Sequence, residues 1–322
     1  MGFHEFSSPY DWSRIASFKR TAKAAFGGMV DLSVGSPVDP VPDSVRKALG
    51  AASNDPNAYG YPVTAGTADL RSAIAEWFAA ARNVDLTAID ADVVPTVGSK
   101  EGVALMASLL HLGAGDVVVQ PKVSYPTYEI GTQLAGAEVL KVDDVADVES
   151  WKDVPGVKAV WVNSPCNPTG AVLAAEQMAA IVAAARGIGA VVLSDECYAL
   201  MQWGNVDVEA DADTLASTPC ALRPDVCGGS AQGVLVLYSL SKQSNMAGYR
   251  TAFIAGDKSL IVPMTAYRKQ IGQIIPGPVQ AAMAVGLRDL ESVKAQRKRY
   301  ANRLGILVSC LLYTSPSPRD CS

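Results

Sequence analysis

The chain has 322 residues, 49% of them hydrophobic, with a net charge of −5 drawn from both signs. That length can bury a large core, or one large domain with a smaller one attached. Mild acidity argues against nucleic acid or anionic membrane as the main partner, since both require a basic face, and no apolar run reaches the roughly 18 residues of a membrane span.

The N-terminus, MGFHEFSSPYDWSRIASFKR, lacks the charged-then-apolar order of a signal peptide. None of the six cysteines is paired as CxxC, and with no export signal a soluble, cytoplasmic protein with reduced thiols is expected. The two histidines, His4 and His111, have no second ligand at metal-binding spacing. His111 reads as a helix-end residue. No metal is expected, and any proton carrier must be something other than histidine.

Residues 1–35 read as an arm and a short helix, followed by the Gly/Pro-rich connection DLSVGSPVDPVPD. From about residue 90 to 255, short apolar runs alternate with amphipathic stretches. The predicted strands are DVVPTVG, GDVVVQP, AEVLKVD, KAVWVNSP, GAVVLSDE, GVLVLYSLS and TAFIAG. Between them lie helical segments such as KEGVALMASLLHLGAG and AAEQMAAIVAAARGIG, the latter with Met178, Ile181, Val182 and Ala185 on one stripe. Strands apolar throughout and separated by helices predict an α/β fold with a mostly parallel, seven-stranded sheet covered on both faces. Ligands of such sheets bind beyond the carboxyl ends of the strands, which makes the polar residues there the candidates. Residues 276–309 predict two helices, the second with Val293, Tyr300, Leu304 and Leu307 at helical spacing. The closing CLLYTSPSPRDCS breaks that pattern without a cap and resembles the in-frame translation of a sequencing adapter. Residues 310–322 are therefore expected to be an artefact tail.

The strongest chemical signal is Tyr238-Ser-Leu-Ser-Lys242-Gln-Ser-Asn-Met-Ala-Gly-Tyr-Arg250, directly after an apolar strand. A lysine between hydroxyls, with an arginine eight residues on, suits a phosphate-bearing aldehyde cofactor. The amine of Lys242 forms a Schiff base while Ser239, Ser241 and Arg250 hold the phosphate dianion. In Gly189-Ala-Val-Val-Leu-Ser-Asp195-Glu-Cys-Tyr198, a carboxylate ends an apolar strand and needs a cationic partner, such as a protonated ring nitrogen. Taken alone, strand-then-Asp is equally the signature of a helix N-cap. Trp161-Val-Asn-Ser-Pro-Cys-Asn167-Pro-Thr-Gly170 is either a rigid turn or an amide aimed at a phenolate oxygen. Gly98-Ser99-Lys100-Glu101, between strand and helix, offers a helix N-terminus to phosphate. Ser124-Tyr125-Pro-Thr-Tyr128 places an aromatic either over a flat ring or in the core.

In this order and spacing, the five pieces resemble the class I/II aminotransferases of pyridoxal-phosphate (PLP) fold type I, over about residues 10 to 309. The resemblance implies residues 1–35 as arm and part of a small domain, 36–275 as the large PLP-binding domain, and 276–309 as the start of an incomplete C-terminal small domain. It implies Lys242 as Schiff-base lysine and proton shuttle, Asp195 on the pyridinium, and Asn167 and Tyr198 on the phenolate oxygen. Tyr125 would stack on the ring, with Gly98, Ser99, Lys100, Ser239, Ser241 and Arg250 around the phosphate. Tyr61, in Tyr61-Pro-Val-Thr-Ala-Gly66, matches a tyrosine that reaches the neighbouring subunit's phosphate, which implies a homodimer with shared sites.

Asp31-Leu-Ser-Val-Gly-Ser-Pro-Val-Asp-Pro40 and Gly60-Tyr-Pro-Val-Thr-Ala-Gly66 further resemble the actinobacterial N-succinyldiaminopimelate aminotransferases, with Gly35 at the substrate edge. These move an amino group from glutamate to N-succinyl-2-amino-6-oxopimelate on the way to diaminopimelate and lysine. Transfer between other amino acids, a β-lyase on the same fold, and a non-catalytic PLP-binding fragment stay open beside it. The family's arginine for the substrate α-carboxylate lies beyond this chain, and neither Arg297 nor Arg303 is expected to replace it.

Overall fold

The structure is a computed structural model that describes residues 13–31, 35–201, 215 and 218–314, with the backbone alone for 311–314. Residues 32–34 of the Asp31–Pro40 run and residues 315–322 of the tail lie outside the described residues. The chain divides into two units, 1–38 and 39–322. The first contains α1 (Ser13–Ala24), which buries no side chain, and the ion pair Lys19–Asp31 at 3.0 Å.

The second unit opens with α2 (Asp43–Ser53) and α3 (Ala68–Trp77). Then come β1 (Ala91–Val97), α4 (Ser99–Leu109), β2 (Val117–Pro121), α5 (Thr127–Ala135), β3 (Glu138–Val142), β4 (Val157–Asn163), α6 (Ala175–Gly187) and β5 (Val191–Asp195). A short α7 (Pro224–Cys227) leads to β6 (Val234–Ser239), the one-turn α8 (Leu240–Gln243), β7 (Thr251–Asp257) and α9 (Lys258–Gln270). The last helices are α10 (Gly277–Arg288) and α11 (Leu290–Thr314).

All seven predicted strands form, in one sheet ordered β1-β7-β6-β5-β4-β2-β3. Only β7 runs antiparallel, between β1 and β6; the other pairings are parallel. A parallel return needs a crossover of a dozen or more residues, whereas the stretch from Ser239 to Thr251 holds only a helical turn and a loop, so the strand doubles back. The sheet edge carrying the carboxyl ends of β1, β6, β5, β4, β2 and β3 therefore also carries the start of β7.

The two faces of the sheet have separate cores. Val94, Val118, Trp161, Leu193, Leu237 and Ile254 pack against Val103, Met106, Tyr128 and Met264 from α4, α5 and α9. Val119, Val160, Val192, Val236 and Phe253 face the other way, toward Trp77, Met178, Ile181, Val182, Ala185 and Met283. The stripe expected on α6, Met178, Ile181, Val182 and Ala185, is its buried set. Helices α4 and α5 cross closely: a Cβ on Gly131 would lie 2.8 Å from the Ala104 carbonyl, so the crossing excludes a side chain there.

On α11, Val293 is buried but Leu304 and Leu307 are exposed, so only part of the expected stripe is covered. The helix continues through Cys310 to Thr314, past the point where the sequence pattern was expected to break. His111 follows α4 in a left-handed conformation (φ 58°), edge-on to Tyr267 at 4.7 Å. Cys166, Cys197, Cys220 and Cys227 are free thiols. No helix among the described residues is long and apolar enough to cross a membrane.

Candidate active site

Because side chains alternate along a strand, the residues two beyond Leu237, Leu193 and Trp161 share their face. Those residues are Ser239, Asp195 and Asn163. They stand at the carboxyl ends of three adjacent strands, registered as Asn163↔Asp195↔Leu237. The sheet thus brings the Lys242, Asp195 and Asn167 motifs to one rim.

The second cluster forms where β7 begins. Its register, Val97↔Thr251 and Ser239↔Ala252, sets the ends of β1 and β6 on either side of Arg250. Gly98 caps the N-terminus of α4 at φ 77°, and a Cβ there would collide with the Arg250 guanidinium. Only glycine meets both demands. Arg250, itself left-handed (φ 56°), donates to the Ala247 carbonyl at 2.8 Å. Ser239 caps α8, accepting from the Ser241 amide at 3.1 Å and lying 2.8 Å from the Ser241 hydroxyl. The N–H groups of Ser99 and Lys100 at the start of α4, two hydroxyls and a guanidinium are complementary to a phosphate dianion.

Lys242 lies on α8, half-buried, with Nζ 5.6 Å from the Tyr198 ring centre. Burial lowers its pKa and so favours the neutral, nucleophilic amine. Tyr198 is pushed up to about 12 by burial, which keeps its phenol a donor. Asp195 is buried, and burial raises its pKa against the hydrogen bonds that favour its charged form. Tyr128 Oη donates to Oδ2 at 2.7 Å and the Cys197 amide to Oδ1 at 3.2 Å. Among the described residues no lysine or arginine forms an ion pair with Asp195, so this carboxylate fits a cationic ring nitrogen.

Asn163 joins the two neighbouring loops: its amide donates to the Asp195 carbonyl at 2.9 Å, and its oxygen accepts from the Asn167 amide at 2.7 Å. Asn167 and Tyr198, with Cys166, Met201 and Leu304, line a cavity of about 400 Å³. Tyr125 is half-buried, with Lys100 Nζ 5.9 Å from its ring centre and Tyr128 edge-on at 5.9 Å. Tyr61 is fully exposed. Gly35 belongs to the first unit, where a Cβ would meet nothing within 4 Å. Arg297 donates to the Leu200 carbonyl, and Arg303 clamps Asp39 at 2.6 and 2.7 Å.

Four residues not singled out from sequence support this rim. Gln243, next to Lys242 and 1% exposed, accepts from Trp77 Nε1 at 3.1 Å and Tyr238 Oη at 2.9 Å, and donates to Ser244 Oγ and the Gly286 carbonyl. Glu196, beside Asp195, forms a fully buried pair with Arg82 at 2.9 Å. Tyr128, the fourth, is the Asp195 donor described above.

An amine, a buried carboxylate and a phosphate-shaped cradle on one rim suit a phosphorylated ring cofactor held through a lysine. Residues 27–313 match the family aminotransferase class I and II. The probable aminotransferase Rv1178 of Mycobacterium tuberculosis is 42% identical over 303 residues, 94% of this chain and 68% of its own length. The 4-dedimethylamino-4-oxo-anhydrotetracycline transaminase OxyQ of Streptomyces rimosus is 41% identical over 94% of this chain and 79% of its own. An aminotransferase structure from Neisseria meningitidis aligns at TM-score 0.80 and 28% identity, over 95% of this chain and 77% of that one. The N-succinyldiaminopimelate aminotransferase structure from M. tuberculosis aligns at TM-score 0.74 and 26% identity, over 88% and 72%. The chain belongs to the class I and II aminotransferases, whose members use PLP, and its fold is their fold type I.

Proposed function

We propose that the protein moves an amino group from glutamate to N-succinyl-2-amino-6-oxopimelate, in diaminopimelate and lysine biosynthesis, as a cytoplasmic homodimer. The observation that carries the catalytic part is the convergence of Lys242, Asp195 and the Gly98–Arg250–Ser239 cradle on one rim. The acceptor rests on the sequence resemblance, supported by the M. tuberculosis structure of that activity.

PLP, when bound, supplies an electron sink for the bond broken at the substrate Cα. The chain's own groups do the rest. Lys242 would hold the cofactor through its amine and, when that amine is free, would carry the substrate's Cα proton. Asp195 keeps the ring nitrogen protonated, and Asn167 and Tyr198 donate to the phenolate oxygen. Arg250, Ser239, Ser241 and the start of α4 anchor the phosphate, and Tyr125 covers the ring. The resemblance would also put Gly35 at the substrate edge. The exposed Tyr61, beside exposed Tyr59 and Val63, is the group offered to the partner subunit.

A second reading is favoured by the 41% identity to OxyQ, the 4-dedimethylamino-4-oxo-anhydrotetracycline transaminase, which acts on a ring ketone. The deciding assay incubates the protein with PLP, glutamate and one acceptor at a time, and follows 2-oxoglutarate. Turnover with N-succinyl-2-amino-6-oxopimelate supports the first reading; turnover confined to a cyclic ketone supports the second. Pyruvate release from a sulfur amino acid would instead mark a β-lyase. The Lys242→Ala variant should lose the visible absorption that PLP gives on binding, and a retained band would sink the lysine assignment.

A further inference from the structure

Tyr128 sits on α5, 1% exposed, in the core between the sheet and α4. Its ring lies flat on Trp161, with centroids 4.4 Å apart and planes 13° from parallel, and a second ring, Tyr125, meets its edge. A ring held on two sides cannot swing, so the direction of its hydroxyl is set by the core. That hydroxyl stands 2.7 Å from Asp195 Oδ2. The other carboxylate oxygen is held by the Cys197 amide. Each oxygen of Asp195 thus has a fixed donor, which sets the carboxylate plane.

Burial pushes the Tyr128 phenol well above its usual range, so it remains a donor at any working pH. A neutral hydrogen-bond donor on a buried carboxylate favours the charged form without neutralising it. A lysine there would compete with the ring nitrogen for the same charge.

We propose that Tyr128 is a positioning residue for the transamination: acting through Asp195, it sets how firmly the ring nitrogen of PLP keeps its proton. The proposal rests on the reading of Asp195 as the partner of that nitrogen. Losing the hydroxyl makes the carboxylate a stronger base, so the proton shifts from the ring nitrogen toward Asp195. With less positive charge on the ring, the group joined to Lys242 gives up its own proton at higher pH.

The test is Tyr128→Phe, which keeps the ring stack and removes one oxygen. PLP affinity and the pH midpoint of the visible band are measured without substrate. Binding should weaken about tenfold and the midpoint rise by up to about one unit, the size of one hydrogen bond to a charged group. With Asp195→Asn as background, the same change should move neither quantity. Replacing Tyr128 by 3-fluorotyrosine, a stronger donor of nearly the same shape, should move the midpoint down. Wild-type affinity and midpoint in Y128F would overturn the proposal, as would equal shifts in the D195N background or a lowered melting temperature with an unmoved midpoint. Failure of the wild-type protein to give a Lys242-dependent band would instead sink the PLP reading beneath it.

Discussion

Changing Gln243 to methionine isolates the support behind Lys242. Methionine keeps the volume, so the cavity contribution is small, but it can neither accept nor donate a strong hydrogen bond. Trp77 Nε1–H and Tyr238 O–H, both bonded to Gln243 Oε1, would be left without that acceptor in a pocket closed to water. Each orphaned buried donor costs about 1–3 kcal/mol, giving about 2–6 kcal/mol for the pair. At roughly 2 °C per kcal/mol for a chain of this size, the melting temperature should fall by about 4–12 °C. Near-UV circular dichroism on the cofactor-free protein reads this directly, since Trp77 and Tyr238 lie 4.2 Å apart and report on the same spot. Adding Tyr238→Phe removes one orphan, so the double variant should melt above Q243M alone. A Q243M melt within about 1 °C of wild type, or a double variant less stable than the single, would refute the accounting.

Three further outcomes are expected. Gly98→Ala should weaken PLP binding roughly tenfold or more by displacing Arg250, the loss expected for a charge-assisted bond, with little change in the melting temperature of the cofactor-free protein; equilibrium titration with PLP checks it. Glu196→Gln leaves the Arg82 guanidinium buried without its counter-charge and should destabilise by about 3–5 kcal/mol in urea denaturation, with R82M/E196Q recovering part of that. Asp39, held at about 2 chiefly by its hydrogen bond with Arg303, contributes stability that is present above the usual carboxylate pKa and is lost as pH falls through about 2. The melting-temperature gap between wild type and Asp39→Asn should therefore be full at neutral pH and narrow steadily between about pH 4 and 2.

What could be read from the chain and what could not divides along physical lines. Strands buried on both faces are apolar throughout, so all seven were legible, as was the buried stripe of α6. The rule that polar residues just after such strands face the ligand singled out Asp195, Asn167, Ser239 and Lys242, and the sheet does bring these motifs to one rim. The reversed direction of β7 was recoverable only from the shortness of the connection before it. Tyr128, Gln243 and the Arg82–Glu196 pair were not legible as partners, because their bonds join residues 67, 166 and 114 positions apart. For Tyr128, a packed core tyrosine and a site residue have the same local pattern, and the buried ring also reaches Asp195 with its hydroxyl. The exposed end of the Val293–Leu307 stripe shows the converse: helical spacing marks a face but does not say what covers it.

The position of β7 has a consequence for biosynthesis. Strand β1 is an edge strand bonded to β7, so the Gly98 end of the phosphate cradle has no sheet to belong to until residue 257 has been made. More than half of the chain, including the whole Asn167 and Asp195 rim, can emerge from the ribosome before the cradle has its second wall. Cofactor capture at this proposed cradle is therefore expected late in the life of the nascent chain. A ribosome stalled before β7 should hold the Asp195 strand and yet have no affinity for the phosphate.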